Sequence, residues 1–390
     1  MRFSQIAISM VSLVLASQMF GCLSSNASTA PALSSVSVAL SSGGNTISSS
    51  SSVAAVTLGA APTLNVLPWN GAQGAYSLIM DDYCGTTTMS LQWADSVAYT
   101  RKVNIGFAVI AGECADIDWA FAKVMAAHGS EAVSHSTQHT CPDPAKCQGS
   151  TPWTAGSAQL LLETDTSTQM IQANVGVRPT FFAYPFDAAT VTTQNELKAL
   201  NYLGARNYVT RTYAGKGFNA LTSFNGMTAE YDARQPAAPD PNAVYQLYGM
   251  DAYADSAASK GSWALRETHG VDDGSWGAWT TAEFIAHIDH IAALRDQGKL
   301  WIAPPSRVIR YVNLSKKATW AIVPAADAYE VQWNTALDTL TRYAVPLRVQ
   351  VSGSWKATQA GIDLGATVAA GMTLVSVDPS QGMLRLIPAP

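Results

Sequence analysis

The residues best suited to chemistry are two adjacent carboxylates and two closely spaced imidazoles. Asp81 and Asp82 directly follow an apolar, strand-like run and are the first charged residues after Arg2. His135 and His139 follow another short strand-like run. One carboxylate and two imidazoles could hold a metal ion with an open coordination position, and the second carboxylate could act as a base. This set of residue types is typical of a mononuclear metal hydrolase.

The spacing of the histidines permits more than one interpretation. His135 and His139 would share one face of a helix if the segment opens one. Histidines at this spacing also occur by chance or at surfaces, and acidic pairs also occur in solvated turns. The sequence lacks the H-E-x-x-H motif that would indicate a metalloprotease. The joint occurrence of both pairs, each after an apolar strand, favours a metal site.

Strand-like and helix-like segments alternate between residues 75 and 312. The predicted strands are Ala75–Met80, Val103–Ile110, Glu131–Ser134, Thr180–Tyr184, Tyr202–Arg206, Ser262–Thr268 and Leu300–Ala303, and the clearest predicted helices are Asp116–His128, Ala158–Val175, Gln194–Leu200 and Thr281–Gln297. This alternation predicts an α/β fold with a parallel sheet or barrel. Catalytic groups gather at the carboxyl ends of such strands. Asp81, His135, Tyr184 and His269 all lie at or just beyond those ends.

Four segments resemble the motifs of polysaccharide deacetylases, the NodB-homology group also called carbohydrate esterase family four. Met80–Gly85 (M-D-D-Y-C-G) is similar to the T-F-D-D-G motif, and His135–His139 is similar to the H-[ST]-x-x-H motif. Tyr184–Phe186 resembles the Pro-Tyr or Pro-Phe segment, and Leu265–Gly270 resembles the final L-x-H type of motif. The resemblance spans about residues 75–312. It implies a distorted (β/α) barrel with fewer strands than a closed eight-stranded one.

The resemblance also implies the catalytic roles. Asp82, His135 and His139 would hold one divalent metal ion, Asp81 would be the base and His269 the acid. Zinc is the favoured metal, because it accepts carboxylate and imidazole ligands with one position left open. The implied substrate is an acetylated polysaccharide or oligosaccharide. Chitin-type N-acetyl groups, peptidoglycan and O-acetylated xylan all remain candidates.

Four aromatic residues are candidates for contact with the substrate or for the oxyanion site. Tyr184 and Phe186 belong to the third motif, and a backbone N–H near Phe186 would stabilise the oxyanion. Trp276 follows His269 closely and could stack on a sugar ring, as could Trp279. Burial at the end of the barrel is the alternative for both tryptophans, since large aromatic side chains are commonly buried.

Several positions depart from the family pattern. Ala183 stands where the third motif usually carries an Arg that steadies the catalytic Asp, and Asp187 stands where Gly is usual. Arg178 is the nearby candidate to replace that Arg. Asp272 and Asp273 are candidates to orient the catalytic His, although both also fit a solvated turn.

The N-terminal residues resemble an export signal. Arg2 is followed by the apolar stretch Ile6–Leu15, which is too short to span a membrane. Cys22 is a candidate lipid-attachment site, with plain secretion as the alternative. Residues 23–62 are rich in Ser and Ala without charge and are expected to form a disordered linker. The chain is therefore expected to be secreted or lipid-anchored in a bacterial envelope.

Besides Cys22, four cysteines remain. Cys141 and Cys147 close a short loop, which leaves Cys84 with Cys114. Three connectivities are open, and this one is the most economical for an exported protein. A zinc site made from these thiols is the competing interpretation, although no C-x-x-C pair is present.

The catalytic domain is expected to span residues 63–312 and a small all-β domain residues 313–390. Short strand-like segments without a convincing helix mark the second domain, namely Ala318–Val323, Ala328–Trp333, Tyr343–Val351 and Thr373–Val377. No titratable cluster occurs in it, so we expect a structural or sugar-contacting role.

Composition excludes some classes of function. A net charge of −5 without a Lys/Arg cluster argues against a nucleic-acid partner. The absence of a G-x-S-x-G motif argues against a serine hydrolase, and nothing in the sequence indicates a protein partner. The alternative to an enzyme is a catalytically weak, carbohydrate-binding lipoprotein that keeps the barrel as a scaffold.

Overall fold

The structure is a computed structural model that describes residues 58–208, 222–223, 234–235 and 247–389. The expected export signal, Cys22 and residues 23–57 of the expected linker lie outside the described residues. The last residues of that linker already contact the fold. Leu58 packs against the core, and Tyr329 Oη donates a hydrogen bond to the Gly59 carbonyl oxygen at 2.6 Å.

The strands fall into one mostly parallel sheet and two antiparallel sheets. Their bounds are β1 Leu64–Val66, β2 Gly74–Tyr83, β3 Gly106–Val109, β4 Glu131–Ser134, β5 Phe181–Ala183, β6 Gly204–Tyr208, β7 Thr222–Ser223, β8 Arg234–Gln235, β9 Ser262–Thr268, β10 Leu300–Ile302, β11 Trp320–Pro324, β12 Tyr329–Trp333, β13 Leu347–Ser352, β14 Trp355–Gln359, β15 Ile362–Asp363, β16 Thr367–Ala369, β17 Met372–Val377 and β18 Leu384–Pro388. The predicted strands 131–134 and 262–268 coincide with β4 and β9.

The large sheet curls into an open half-barrel. Its order is β7-β9-β2-β3-β4-β5-β6-β8, with β10 paired to the first residues of β2 and only β7 antiparallel. This arrangement confirms the predicted α/β fold with a distorted barrel. Because the other paired strands run parallel, their carboxyl ends meet at one rim.

Side chains alternate between the two faces of this sheet. In β2, Tyr76, Leu78 and Met80 pack outward against the helices, whereas Ala75 and Ile79 join the inner core. Asp81 continues the inner row, because residues two apart in a strand share a face. The period of two therefore carries a carboxylate to the inner rim of the barrel.

Helices pack against both faces of the half-barrel. Within the described residues they are α1 Thr88–Thr100, α2 Asp116–Ala127, α3 Ala158–Leu161, α4 Ser167–Val175, α5 Val191–Ala199, α6 Leu247–Lys260, α7 Thr281–Asp296, α8 Pro305–Lys317 and α9 Leu337–Arg342. A π-helical turn, Leu162–Thr166, joins α3 to α4 and interrupts the helix predicted there. None of the helices described is both long and apolar enough to cross a membrane.

The C-terminal strands form two antiparallel sheets, ordered β1-β13-β17-β16 and β11-β12-β18-β14-β15, and the first of them also includes β1 from residues 64–66. The prediction of no helix there was wrong, because α9 forms a short exposed helix. A six-residue helix carries too little periodicity to be recognised in sequence. α8 runs across the boundary expected between residues 312 and 313. Its apolar face shares one core cluster with the inner barrel and the C-terminal strands.

Two disulfides link segments near the carboxyl-end rim. Cys84 pairs with Cys114 and Cys141 with Cys147, which is the most economical of the three connectivities. The first bond joins the end of β2 to the connection that follows β3. It therefore holds together two strand ends beside the acidic pair.

Removing the two disulfides separately should have unequal effects on stability. The double variant Cys84→Ala/Cys114→Ala opens a loop whose ends are 30 residues apart in sequence. Cys141→Ala/Cys147→Ala opens a loop whose ends are 6 residues apart. Loop-closure entropy predicts losses of about 3–4 and about 2 kcal/mol in the free energy of unfolding. Urea unfolding of both variants beside the oxidised parent checks the order, which a larger loss from the second pair would contradict.

Candidate metal centre

A bulge at the end of β2 places both members of the acidic pair at the rim. The register between β2 and β3 shifts between Met80 and Tyr83, and Asp82 adopts the left-handed region with φ 67°. In a regular strand Asp81 and Asp82 would point to opposite faces. The bulge redirects Asp82, so that both carboxylates lie within 4 Å of His135 Nε2.

The segment His135–His139 is a loop rather than the start of a helix. Ser136 and His139 have φ values of 68° and 54°. The buried carboxylate of Glu163 accepts hydrogen bonds from the backbone N–H groups of Thr137 at 3.0 Å and Gln138 at 2.8 Å. Glu163 lies in the π-helical turn, a form of helix common at functional sites. It stabilises the loop that presents both imidazoles.

Asp82, His135 and His139 converge on one point. One ligand atom from each lies within 4.8 Å of the others. Asp82 Oδ1 is 3.4 Å from His135 Nε2 and 3.5 Å from His139 Nε2. Although Oδ1 is buried, it accepts no hydrogen bond from the described residues. An orphaned carboxylate oxygen facing two imidazole nitrogens fits a divalent cation.

The tautomer of His135 also suits a ligand. Its Nδ1 lies 2.8 Å from the Ala183 carbonyl oxygen, which can only accept, so we assign the proton to Nδ1. The Nε2 lone pair then faces Asp82. Burial lowers the pKa of His139 to about 4, with the charge of His135 adding to the effect. His139 can therefore present an unprotonated nitrogen. Burial would lower the pKa of His135 too, but Asp81 and Asp82 raise it above its usual value, so cation binding at His135 requires the loss of a proton.

Charge also keeps Asp82 ionised. Burial alone would raise the pKa of Asp82, but His135, His139 and His269 together hold it below its usual value. A carboxylate that stays ionised is the form that ligates a cation.

The guanidinium that steadies Asp81 comes from Arg206, the middle residue of β6. Its Nη1 and Nη2 donate to the two Asp81 oxygens at 2.8 and 2.5 Å, and its Nε lies 2.9 Å from Glu267 Oε2. All three side chains are buried. The expectation that Arg178 fills this role was wrong, because its Nη2 donates to the Leu200 carbonyl at 2.5 Å. An available signal was missed: Arg206 and Glu267 are charged residues within predicted barrel strands.

The Arg206 contact sets the charge of Asp81. Burial would raise the pKa of Asp81, but the guanidinium of Arg206, with His135 adding to it, lowers the pKa below its usual value. Asp81 is therefore ionised at neutral pH and can accept a proton.

Asp187 lies beside the contact between Arg206 and Asp81. Its Oδ1 lies 3.8 Å from Arg206 Nη2, and burial and the neighbouring Glu267 raise its pKa to about 8. Phe186 and Asp187 both have positive φ, of 56° and 52°. Lys146, from the loop closed by the second disulfide, donates to the Asp187 carbonyl oxygen. This turn is thus fixed from two sides.

Two exposed aromatic rings flank the centre. Phe186 is 56% exposed with its ring 4.8 Å from that of His139, and Trp276 is 66% exposed with its ring 5.3 Å from that of His269. His269 Nε2 lies 3.8 Å from Asp82 Oδ2. The rings therefore stand on the two sides of the acidic pair.

Two of the aromatic candidates are buried. Tyr184 is buried against Phe182, and its backbone N–H donates to the Arg206 carbonyl, so neither group is offered to a substrate in this structure. Trp279 is also buried. Burial in a packed aromatic cluster is the physical reason that Tyr184 departs from its expected place.

The acidic residues after His269 serve the following turn. Asp272 accepts a hydrogen bond from the Thr281 N–H at 2.9 Å, and Asp273 accepts from Ser275. The solvated-turn interpretation therefore describes both, rather than orientation of His269.

The matched family model is described as polysaccharide deacetylase and covers residues 92–205. No curated protein matches the chain. A family 4 carbohydrate esterase from Streptomyces lividans, solved with acetate, is 18% identical with a TM-score of 0.36, covering 59% of this chain and 91% of that one. A putative polysaccharide deacetylase from Mycobacterium smegmatis is 14% identical with a TM-score of 0.40, covering 65% and 94%.

A family 4 acetyl xylan esterase from Clostridium thermocellum, solved with a cobalt ion, is 14% identical with a TM-score of 0.35, covering 60% of this chain and 89% of that one. Over residues 92–205, the chain is similar to the polysaccharide deacetylase family.

Proposed function

We propose that this protein is a metal-dependent hydrolase that removes acetyl groups from an extracytoplasmic polysaccharide or oligosaccharide. The observation that carries the proposal is the convergence of Asp82, His135 and His139 beside the ionised carboxylate of Asp81. The match of residues 92–205 to the polysaccharide deacetylase model supports the same chemistry.

Asp82, His135 and His139 would hold the cation, for which we favour zinc because of its carboxylate and imidazole ligands. When bound, such a cation acts as a Lewis acid toward a carbonyl group and activates water. Asp81 would take the proton from the attacking water, held in position by Arg206 on its far side.

His269 and the turn at Phe186 would complete the reaction. The imidazole of His269 stands across the acidic pair and would donate a proton to the leaving amine or hydroxyl. The Phe186 N–H is our candidate oxyanion donor. The exposed rings of Phe186 and Trp276 would contact sugar rings on either side of the acetyl group.

We propose that the protein acts outside the cytoplasm, secreted or lipid-anchored through Cys22. The Cys84–Cys114 and Cys141–Cys147 disulfides support an oxidising compartment.

The alternative of a catalytically weak carbohydrate-binding protein rested on the absence of the third-motif arginine. Since Arg206 contacts Asp81, that argument for the alternative is removed, and we favour the enzyme.

Acetate release from chitooligosaccharides and acetylxylan, measured side by side, tests the activity and its substrate. We expect release from at least one, its loss with a chelator and its return with zinc. Glycan binding without acetate release by the metal-loaded protein would favour the carbohydrate-binding alternative.

His139→Ala and Asp81→Asn should separate the ligand from the base. The first should lose bound metal, because it removes one of three ligands. The second should keep metal, while kcat falls by roughly 10²–10⁴, because the proton acceptor is lost. Elemental analysis paired with acetate release checks both. Full metal content in His139→Ala would refute the ligand assignment, and metal loss in Asp81→Asn would mean that the aspartates exchange roles.

Arg206→Gln should destabilise the fold by about 3–5 kcal/mol, because it removes the guanidinium partner of the buried Asp81 carboxylate. Arg206→Lys should keep the charge but lose the two-point contact with Asp81, so we expect a folded protein with normal metal content and lower kcat. Arg178→Gln is the matched control and should retain kcat. Equal kcat in Arg206→Lys and the parent would show that the contact has no catalytic role.

His269→Ala should lower kcat more on an N-acetyl than on an O-acetyl substrate. An amine leaving group depends more strongly on protonation than an alcohol does. Metal content should stay unchanged, since His269 is outside the proposed ligand set. Near-parental kcat on both substrates would assign His269 a structural role and require another acid.

A further inference from the structure

A cavity of about 390 Å³ lies at the edge where β4 and β5 begin. Glu131, the first residue of β4, and Thr180, just before β5, line it together with α8 and residues 344–346. His135 follows the other end of β4, which at about 3.3 Å per residue places it roughly 13 Å from Glu131 along the strand. The cavity is therefore separate from the candidate metal centre.

Three arginines line this cavity, namely Arg178, Arg307 and Arg310, and Glu131 is the one carboxylate among its lining residues. Among the described residues, none of the three arginines forms a salt bridge. Arg310 donates to the Arg342 carbonyl at 2.6 Å, which is a neutral partner. The cavity thus concentrates positive charge without matching negative charge.

The same imbalance is visible in the titration of the lining groups. Burial lowers the pKa of Arg307 and of Arg310, since the environment disfavours their charged form, although both remain cations. Burial raises the pKa of Glu131 to about 7, despite a 3.0 Å hydrogen bond donated by the Ser306 N–H. Near neutral pH, Glu131 therefore neutralises only part of the arginine charge.

The remaining walls are largely apolar, with Val177, Pro179, Val345 and Pro346 among them. The volume falls within the range of about 300–1,000 Å³ that is typical of small-molecule sites. Guanidinium groups bind carboxylate and phosphate oxygens strongly and with defined geometry. An oxyanion attached to a partly apolar body, such as a sugar ring, matches both kinds of wall.

We propose that this cavity binds an oxyanion, carried as the carboxylate of an acidic sugar or as a phosphate group. Arg307 and Arg310 hold the oxyanion from α8, Arg178 faces it from the segment before β5, and the apolar walls contact its carrier. This binding is independent of the proposed acetyl hydrolysis.

Isothermal titration of the folded protein tests the proposal with glucuronate, inorganic phosphate and neutral glucose as probes. Glucuronate or phosphate should bind and glucose should not; the better of the two anions identifies the carrier. Arg307→Gln should weaken that binding at least tenfold, because it removes one of the guanidinium groups that line the cavity. Lys356→Gln, on an exposed C-terminal strand position, is the control and should bind as the parent does.

Failure of both anions to bind, or equal affinity in Arg307→Gln and the parent, would overturn the proposal. Acetate release by Arg307→Gln should match the parent, since the variant leaves the metal centre intact. A negative binding result with normal acetate release would thus refute this cavity alone, whereas absent acetate release with normal anion binding would refute only the proposed hydrolysis.

The pH dependence of glucuronate binding gives a second test. The other charged groups that line the cavity are Arg178, Arg307 and Arg310, and Glu131 is its only lining carboxylate, so the wall group that titrates near pH 7 is Glu131. Protonated Glu131 is neutral and does not repel an anion, whereas ionised Glu131 does. The affinity for glucuronate should therefore fall several-fold as the pH rises from about 6 to 8, through the Glu131 pKa of about 7. Glu131→Gln should bind glucuronate as strongly at pH 8 as at pH 6, because the side chain no longer ionises. A pH dependence in that variant equal to the parent's would contradict the assignment of Glu131 to the binding cavity.

Discussion

The arrangement of the candidate site depends on one buried guanidinium between two buried carboxylates. Arg206 contacts both oxygens of Asp81 and lies beside Glu267. Removing three charges from water is costly unless each finds a partner with good geometry. The three strands that deliver them must therefore keep their order and their inward-facing register. The orientation of the proposed base follows from that constraint.

A second buried carboxylate imposes a similar constraint on the metal side. Glu163 receives backbone N–H groups from the loop that carries His135 and His139. The Thr137 N–H would otherwise be buried without a partner, because the loop is neither helix nor strand. The π-helical turn supplies the acceptor where a regular helix was expected. The hydrogen bonds from the loop backbone to Glu163 therefore also hold His135 and His139 in position to bind a metal ion.

Much of the barrel could be predicted, because its strands are short apolar runs bounded by polar residues. Ala75–Met80 is an example, and so is the placement of Asp81 directly after it. The partner of Asp81 could not be derived from local sequence, since Arg206 becomes its neighbour only when the sheet curls. The positive φ of Asp82 and the π-helical turn were also hidden, because each depends on tertiary contacts that override local preference.

α8 belongs to two layers of the molecule, with its apolar face in the inner barrel core and its end among the C-terminal strands. A shared core means that neither part can lose its packing without exposing apolar surface of the other. Heating should therefore melt both in a single cooperative transition, as one foldon rather than as two modules joined by a hinge. Evolution could then replace the C-terminal sheets only together with α8, which packs against the inner core of the barrel.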